Sequence, residues 1–352
     1  MGRCFPTYDL PPTTYQSDMQ DLESFIRHLP KAELHLHLEG SVRPETLQEL
    51  SRSKGRLEKE TDDWISERAE HGYRYKDFQD FLQAFKLVTL LLETPHDYAL
   101  AATRLIERLA NQNVKYAEII FAAGVVLWKK QPLEAVFEAA ASAARAAQQV
   151  YGVRVQWIFD AIRHFGVEHT REVLHWAERL RPLGVVALGI GGDEARGPAE
   201  LFREVFSEAR AMGLHVVAHA GEACGPESVR QALEALGAER IGHGLTAVRD
   251  PAVLALLRQR QVPLEVCLTS NVATGVLERI EDHPLPHFLD AGVAVTLNSD
   301  DPAMFGTDLV NEYLVAANTF QLRREQILQI AQNAVRASFL SEKEKLNLLD
   351  LF

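Results

Sequence analysis

Eight short apolar runs recur along this chain, at 32–38, 114–121, 153–160, 185–190, 214–219, 240–243, 263–268 and 293–298. Each has the length of a β-strand. Between most of them, at 133–150, 168–180, 198–212, 226–236, 251–260 and 308–318, apolar residues return every three or four positions, the spacing of amphipathic helices. Strands alternating with helices in this number predict an α/β fold, a (β/α)8 TIM barrel; a doubly wound open sheet is the alternative arrangement of the same units. The first connection, 41–113, is longer than the others and carries helical patterns at 44–53, 76–92 and 96–112. It is read as extra helices lying over one end of the barrel. The tail, 324–351, reads as terminal helices on the outside. The chain thus divides into an N-terminal arm, 1–28, and a single domain, 29–352, with no low-complexity linker or solenoid repeat after residue 30.

Composition narrows the class. The 352 residues are 47% hydrophobic and 24% charged, ordinary for a globular protein with a large core. With 37 basic and 49 acidic residues the net charge is -12, which argues against nucleic acid as the main partner. No apolar run approaches the roughly 18–20 residues that span a bilayer, so no membrane partner is expected. Cys4, Cys224 and Cys267 cannot make a disulfide framework and fit a reducing compartment. The arm holds Pro6, Pro11 and Pro12 without the apolar segment of a signal peptide, and Pro6 stands where a myristoylation signal needs Ser or Thr. The expected location is the cytoplasm.

The first strand carries the candidate chemistry. In Glu33-Leu34-His35-Leu36-His37-Leu38 the histidines are two residues apart, so both imidazoles project from one face while Leu34, Leu36 and Leu38 face a packed layer. Barrel active sites lie at the C-terminal ends of strands. His219, in His-Ala-Gly-Glu, ends the fifth strand, and His243, in Ile-Gly-His-Gly, ends the sixth; Asp300 and Asp301, in Asn-Ser-Asp-Asp-Pro, follow the eighth. Three imidazoles and a carboxylate with one open position suit a catalytic zinc. His35, His37, His219 and Asp300 are therefore assigned as ligands of one Zn2+ per chain, which lowers the pKa of a bound water toward about 7. His243 is then a base or an orienting group for that water, Glu222 gives or takes a proton, and Asp301 is free to bond a substrate. Gly191-Gly192-Asp193-Glu194 is either a plain turn or a backbone contact to substrate. A lone buried histidine is usually a packing residue, but four at strand ends beside glycine or acid do not fit packing. The remaining histidines (28, 71, 96, 164, 169, 175, 215, 283 and 287) are read as surface or packing residues, and Cys224 as an inert thiol.

Taken together, His-Leu-His-Leu-Glu-Gly, Gly-Gly-Asp-Glu, His-Ala-Gly-Glu, Gly-His-Gly and Ser-Asp-Asp-Pro, in that order, resemble the adenosine deaminase family of the amidohydrolase superfamily, from about residue 29 onward. The resemblance implies zinc-dependent hydrolysis of a purine 6-amino group with release of ammonia. It implies that Glu222 protonates N1, that His243 orients and deprotonates the water, and that Asp301 bonds N7. It also sets the Gly192 backbone against N3, with His37 and Glu39 near the ribose 5′ end. The implied partners are a small purine nucleoside and water; the oligomeric state is open. Glu39 stands where adenosine-specific members often have Asp, Gly189 where an Asp commonly precedes the turn, and Ile120 and Ala123 where many relatives have Arg and Pro. These departures spare the metal and proton-transfer set and bear on the group attached to N9. Adenosine and 2′-deoxyadenosine are the expected substrates. The alternative is 6-aminodeoxyfutalosine, a nucleoside with a bulky aromatic 5′ extension; free adenine comes third, because adenine-type members tend to have Asp in place of Gly242. A binding-only relative is disfavoured by the intact acid, base and ligands. A phosphoester- or lactone-hydrolysing relative leaves Glu222 and Asp301 without a task.

Overall fold

In the computed structural model, which describes residues 21–54 and 59–352, the predicted barrel forms. Its strands are β1 (Lys31–His37), β2 (Val114–Phe121), β3 (Arg154–Ile162), β4 (Val185–Gly191), β5 (His215–Ala220), β6 (Arg240–His243), β7 (Leu264–Val266) and β8 (Val295–Leu297). They pair in sequence order and in parallel. Asp300 closes the ring between β8 and β1. His37 donates its N–H to the Asp300 carbonyl at 2.8 Å, and Asp300 donates its own N–H to the His35 carbonyl at 3.1 Å. Most of the predicted arm lies outside the described residues; its last part, 21–28, is helical and buries Ile26.

The parity of the strands builds the two layers. Ile120, Ile158, Ala187 and Val217, from β2 to β5, pack together as one apolar layer. Phe121 and Phe159 point the other way, where Phe137 of the Leu133–Tyr151 helix meets them edge-on at 5.3 and 4.7 Å. Burying each such ring contributes about 1.5–3 kcal/mol. Helix starts follow local polar residues. Asp77 caps Phe78–Leu91, and Thr94 with Asp97 forms a capping box on Pro95–Asn111. The Arg324–Ala337 helix of the tail packs on β1 and β8.

Departures from the sequence expectation are local. β7 is shorter than 263–268 because Leu268 already begins the Leu268–Ala273 helix. The stretch 226–236 is an α-turn, Pro226–Gln231, running into a π-helical turn, Ala232–Leu236. A helix at Lys59–His71 was not expected, since Trp64 and Ile65 are the only large apolar residues in a charged segment. In β1 the alternation itself breaks. Register shifts between Glu33 and Leu36, and the N–H groups of Leu34 and His35 both donate to one side-chain oxygen, Asn298 Oδ1, at 2.9 and 3.1 Å. A bulge of this kind re-aims side chains. Leu34 packs with Ala32, Tyr116 and Val335 rather than in the layer of Leu36, contrary to the simple two-residue reading.

Among the described residues no helix is long and apolar enough to cross a membrane. One buried histidine gives the fold a pH dependence. His283 Nδ1 accepts the Leu285 N–H at 3.0 Å at the start of the Leu285–Asp290 helix, and burial lowers its pKa from 6.5 to about 3. The folded state keeps this ring neutral, whereas the unfolded chain takes up the proton below 6.5, so its contribution is full above 6.5 and lost as pH falls toward 3. Urea midpoints measured across that window should fall less steeply in His283→Gln than in the parent; equal slopes would dismiss the assignment.

Candidate active site

The bulge in β1, the end of β5 and the segment after β8 bring four side chains to one point. The ligand-type atoms of His35, His37, His219 and Asp300 all lie within 4.8 Å of one another. Asp300 Oδ1 is 3.3 Å from both His35 Nε2 and His37 Nε2, and His37 Nε2 is 3.3 Å from His219 Nε2. Asp300 is tied down by its bridge to β1 and by Ser270 Oγ, which donates to Oδ2 at 2.6 Å. Its φ of 62° and that of His243, 63°, lie in the left-handed region, at a cost of about 1–3 kcal/mol each for non-glycine residues.

The cluster fits a divalent cation on its own chemistry. His35 Nε2 is buried without a hydrogen-bond partner, and burial holds His37 at a pKa of about 3 and His219 well below 6.5. Uncharged imidazole nitrogens converging on a carboxylate oxygen are the donor set of a catalytic zinc site. The outer nitrogen of His35 is held as such sites require: Glu265 Oε2 lies 2.8 Å from Nδ1. Arg240 Nε donates to Glu265 Oε1 at 2.5 Å, and Arg240 Nη2 to Glu118 Oε2 at 2.5 Å. Glu118 Oε1 accepts the Tyr116 hydroxyl at 2.7 Å, and the Phe339 ring lies 3.9 Å from the guanidinium. Burial works against charge on His35, but Asp300 and Glu265 outweigh it and lift its pKa to about 10, a measure of the positive charge this point calls for. A second group, His243, Cys267 and Asp300, also converges, but burial pushes the Cys267 thiol well above 9, which keeps it a poor ligand.

Around the cluster the carboxyls divide by protonation. Burial, then the charge of Asp300, pushes Glu222 well above its ordinary value, and Asp301 likewise. Burial opposes ionisation of Asp300 too, yet the nearby His35 ring, its Nε2 3.3 Å from Oδ1, holds it well below 3.8. His243 is lowered to about 4 by burial; its Nε2 lies 3.7 Å from Glu222 Oε2, and its Nδ1 3.2 Å from Asn271 Nδ2. Glu194 holds the turn that presents Glu222, accepting the N–H groups of Gly221, Glu222 and Ala223 at 2.8, 2.9 and 2.9 Å. Gly40 and Gly242 are required sterically: a Cβ would sit 1.6 Å from Asp301 Oδ1 at the first and 2.6 Å from His35 Cε1 at the second.

A cavity of about 260 Å³ opens on this floor. His37, Gly192, His219, Glu222, His243, Asp300 and Asp301 all line it, as the sequence places them at one mouth. His35 sits beneath, within the cluster. Glu39 is not on the lining; it is fully buried, accepts the Ala122 N–H at 3.2 Å, and is lifted to about 7 by burial. The same lining holds Phe78 and Phe85 of the long first connection, the latter with its ring 6.1 Å from that of His37, and Trp128 and Phe165, which stack at 5.9 Å. Sequence reasoning passed over Asp160 and His164, which line the wall, Glu194, which holds the backbone of the Gly221–Ala223 turn, and Glu265 and Asn271, which contact the rings of His35 and His243. His164, read as a surface or packing residue, follows β3 at the same mouth, a signal available from strand order.

Comparison with known proteins gives a consistent picture. The family described as adenosine deaminase matches residues 30–352. An aminodeoxyfutalosine deaminase of Streptomyces avermitilis is 40% identical over 328 residues, covering 93% of this chain and 91% of its own. An adenosine deaminase of Klebsiella pneumoniae is 37% identical over 323 residues, covering 91% and 97%. The crystal structure of an adenine deaminase from Arthrobacter aurescens superposes with a TM-score of 0.86 at 31% identity, covering 92% and 97%.

The buried ion pairs behind His35 make a stability prediction. Removing Arg240 leaves Glu118 and Glu265 facing each other without water. Arg240→Met should therefore destabilise the fold by about 3–5 kcal/mol in urea unfolding. A loss below about 1 kcal/mol would show that the two carboxylates find other partners.

Proposed function

The chain belongs to the adenosine deaminase family, hydrolases of C–N bonds acting on adenine-type substrates, and on that premise we propose that it removes the 6-amino group of a purine nucleoside, with one zinc ion at His35, His37, His219 and Asp300. The observation that carries the reading is that Glu222, His243 and Asp301 line one cavity beside the His35, His37, His219 and Asp300 cluster, with burial favouring the protonated form of Glu222 and Asp301. A purine offers two ring-nitrogen acceptors flanking C6, N1 and N7, and protonated carboxyls are the donors they need. Zinc is preferred for three imidazoles and one carboxylate.

Bound there, zinc supplies the Lewis acidity that brings the pKa of a water toward about 7. Glu222 gives its proton to N1, which makes C6 electrophilic. His243, kept neutral by burial, takes the proton of the water as its oxygen bonds to C6. Asp301 donates to N7, and the Gly192 backbone meets N3. His243 passes its proton to the amino group, the C6–N bond breaks, the proton left on the C6 oxygen goes back to Glu222, and ammonia and the 6-oxopurine nucleoside leave.

At the far end of the substrate two readings compete. The aromatic outer wall, with Glu39 turned onto Ala122 instead of into the cavity, favours 6-aminodeoxyfutalosine, whose 5′ extension is itself aromatic. This agrees with the name of the Streptomyces avermitilis relative. Adenosine and 2′-deoxyadenosine are the second reading, supported by the Klebsiella pneumoniae relative. Adenine alone leaves the outer wall unused.

Ammonia release from the three substrate types, compared as kcat/KM on the zinc-loaded enzyme, tests both levels. The greatest value is expected for 6-aminodeoxyfutalosine. A higher value for adenosine restores the second reading, and no release from any 6-aminopurine ends the deaminase proposal. Glu222→Gln should keep its zinc while turnover drops by about 10²–10⁴. His219→Ala should lose zinc on dialysis, and full occupancy in that variant would break the ligand assignment.

A further inference from the structure

β3 carries a buried carboxylate that the reaction above does not use. Asp160 is 4% exposed and lines the cavity, and among the described residues its oxygens accept no hydrogen bond. The neighbouring strand is carved out around it. A Cβ at Gly189, its register partner on β4, would sit 2.9 Å from Asp160 Oδ1, and a Cβ at Gly191 would sit 2.9 Å from Oδ2. Both distances are shorter than a Cβ contact normally is, so the Asp160 carboxylate occupies the room that glycine leaves at the two positions.

The Gly191 position is also 3.3 Å from His219 Nδ1. Asp160 Oδ2 and His219 Nδ1 therefore border the same gap, one from β3 and one from β5, across the strand that leaves it open. Among the described residues neither atom is hydrogen-bonded, to the other or to any third group; the His219 ring is bonded only through Nε2, toward His37.

We propose that Asp160 is the positioning residue for His219, accepting its Nδ1–H across the gap left by Gly191 and so turning the lone pair of Nε2 toward His37 and Asp300. The inference rests on the reading of His219 as a metal ligand. It has a parallel in the same cluster, where Glu265 holds the outer nitrogen of His35 at 2.8 Å. Ligating imidazoles generally give their outer N–H to a carboxylate, carbonyl or water, and losing that partner weakens metal binding. It also accounts for the departure at Gly189. The acid expected there from the resemblance is supplied by the residue directly opposite it in register, on the adjacent strand.

The test measures the zinc dissociation constant by competition with a chromophoric chelator, with circular dichroism as a check on folding. The parent protein is compared with Asp160→Ala, Asp160→Asn and the double variant Asp160→Ala/Gly189→Asp. Asp160→Ala should bind zinc about 10–100-fold more weakly. Asp160→Asn, which keeps the volume and one acceptor, should fall between it and the parent. The double variant, which returns a carboxylate from β4 at the register partner of residue 160, should recover most of the affinity. Zinc affinity unchanged in both single variants, with KM raised, overturns the proposal and makes Asp160 a substrate contact. A loss in Asp160→Ala that the double variant does not recover overturns it as well. If the parent chain itself binds no zinc, the ligand reading fails instead, and the two failures are told apart by that one measurement.

Discussion

Much of this molecule is arranged around one guanidinium. Arg240 lies inside the barrel between Glu118 and Glu265, each 2.5 Å away, with all three side chains almost wholly out of water. Such pairs rarely stabilise a fold more than apolar residues of the same volume would, because desolvation offsets the attraction. What the arrangement secures is position. Glu265 is bonded on one side to Arg240 and on the other to His35, so the imidazole is set by a chain of contacts reaching down to Tyr116 and Phe339. The interior is polar where an ordinary barrel core is aliphatic, and the four-residue layer of Ile120, Ile158, Ala187 and Val217 supplies the apolar packing beside it.

The second constraint is the seam between the last strand and the first. Asn298 accepts two successive N–H groups of the β1 bulge, Ser299 donates to Glu33, and Asp300 completes the ladder with its own peptide. The carboxylate of that same Asp300 stands in the His35–His37–His219 cluster. Ring closure and site assembly are therefore one structural event, and the left-handed backbone of Asp300 is tolerated because both of its peptide groups are engaged.

Much of this was legible in the chain. Eight apolar runs separated by helical spacing fix a barrel up to a few residues at each end, and strand-end placement gathers His35, His37, His219, His243, Asp300 and Asp301 before any coordinates are considered. What escaped depends on register between strands. Parity along one strand tells which side a residue faces; it does not tell that Glu265 meets His35 across the barrel, or that Asp160 lies opposite Gly189. The bulge at Leu34 and His35 was hidden for a related reason, since an alternating sequence carries no mark of an extra residue whose N–H is claimed by Asn298 from the far end of the chain. Glu39 shows the converse. It follows His37 by two positions, yet the strand has ended and a 3-10 turn, Glu39–Ser41, carries its carboxylate under the wall.

The seam also sets an order of events. Asn298 and Leu34 are 264 residues apart, and Asp300 is separated from His37 by nearly the whole barrel. A chain still emerging from the ribosome holds both β1 histidines early and His219 much later, and Asp300 arrives only after the eighth strand. Partly made or truncated copies thus possess imidazoles but no closed, carboxylate-completed pocket. In such copies the imidazoles of His35, His37 and His219 lack the Asp300 carboxylate that stands among them in the finished fold. The four side chains come together only when the two ends of the sheet meet.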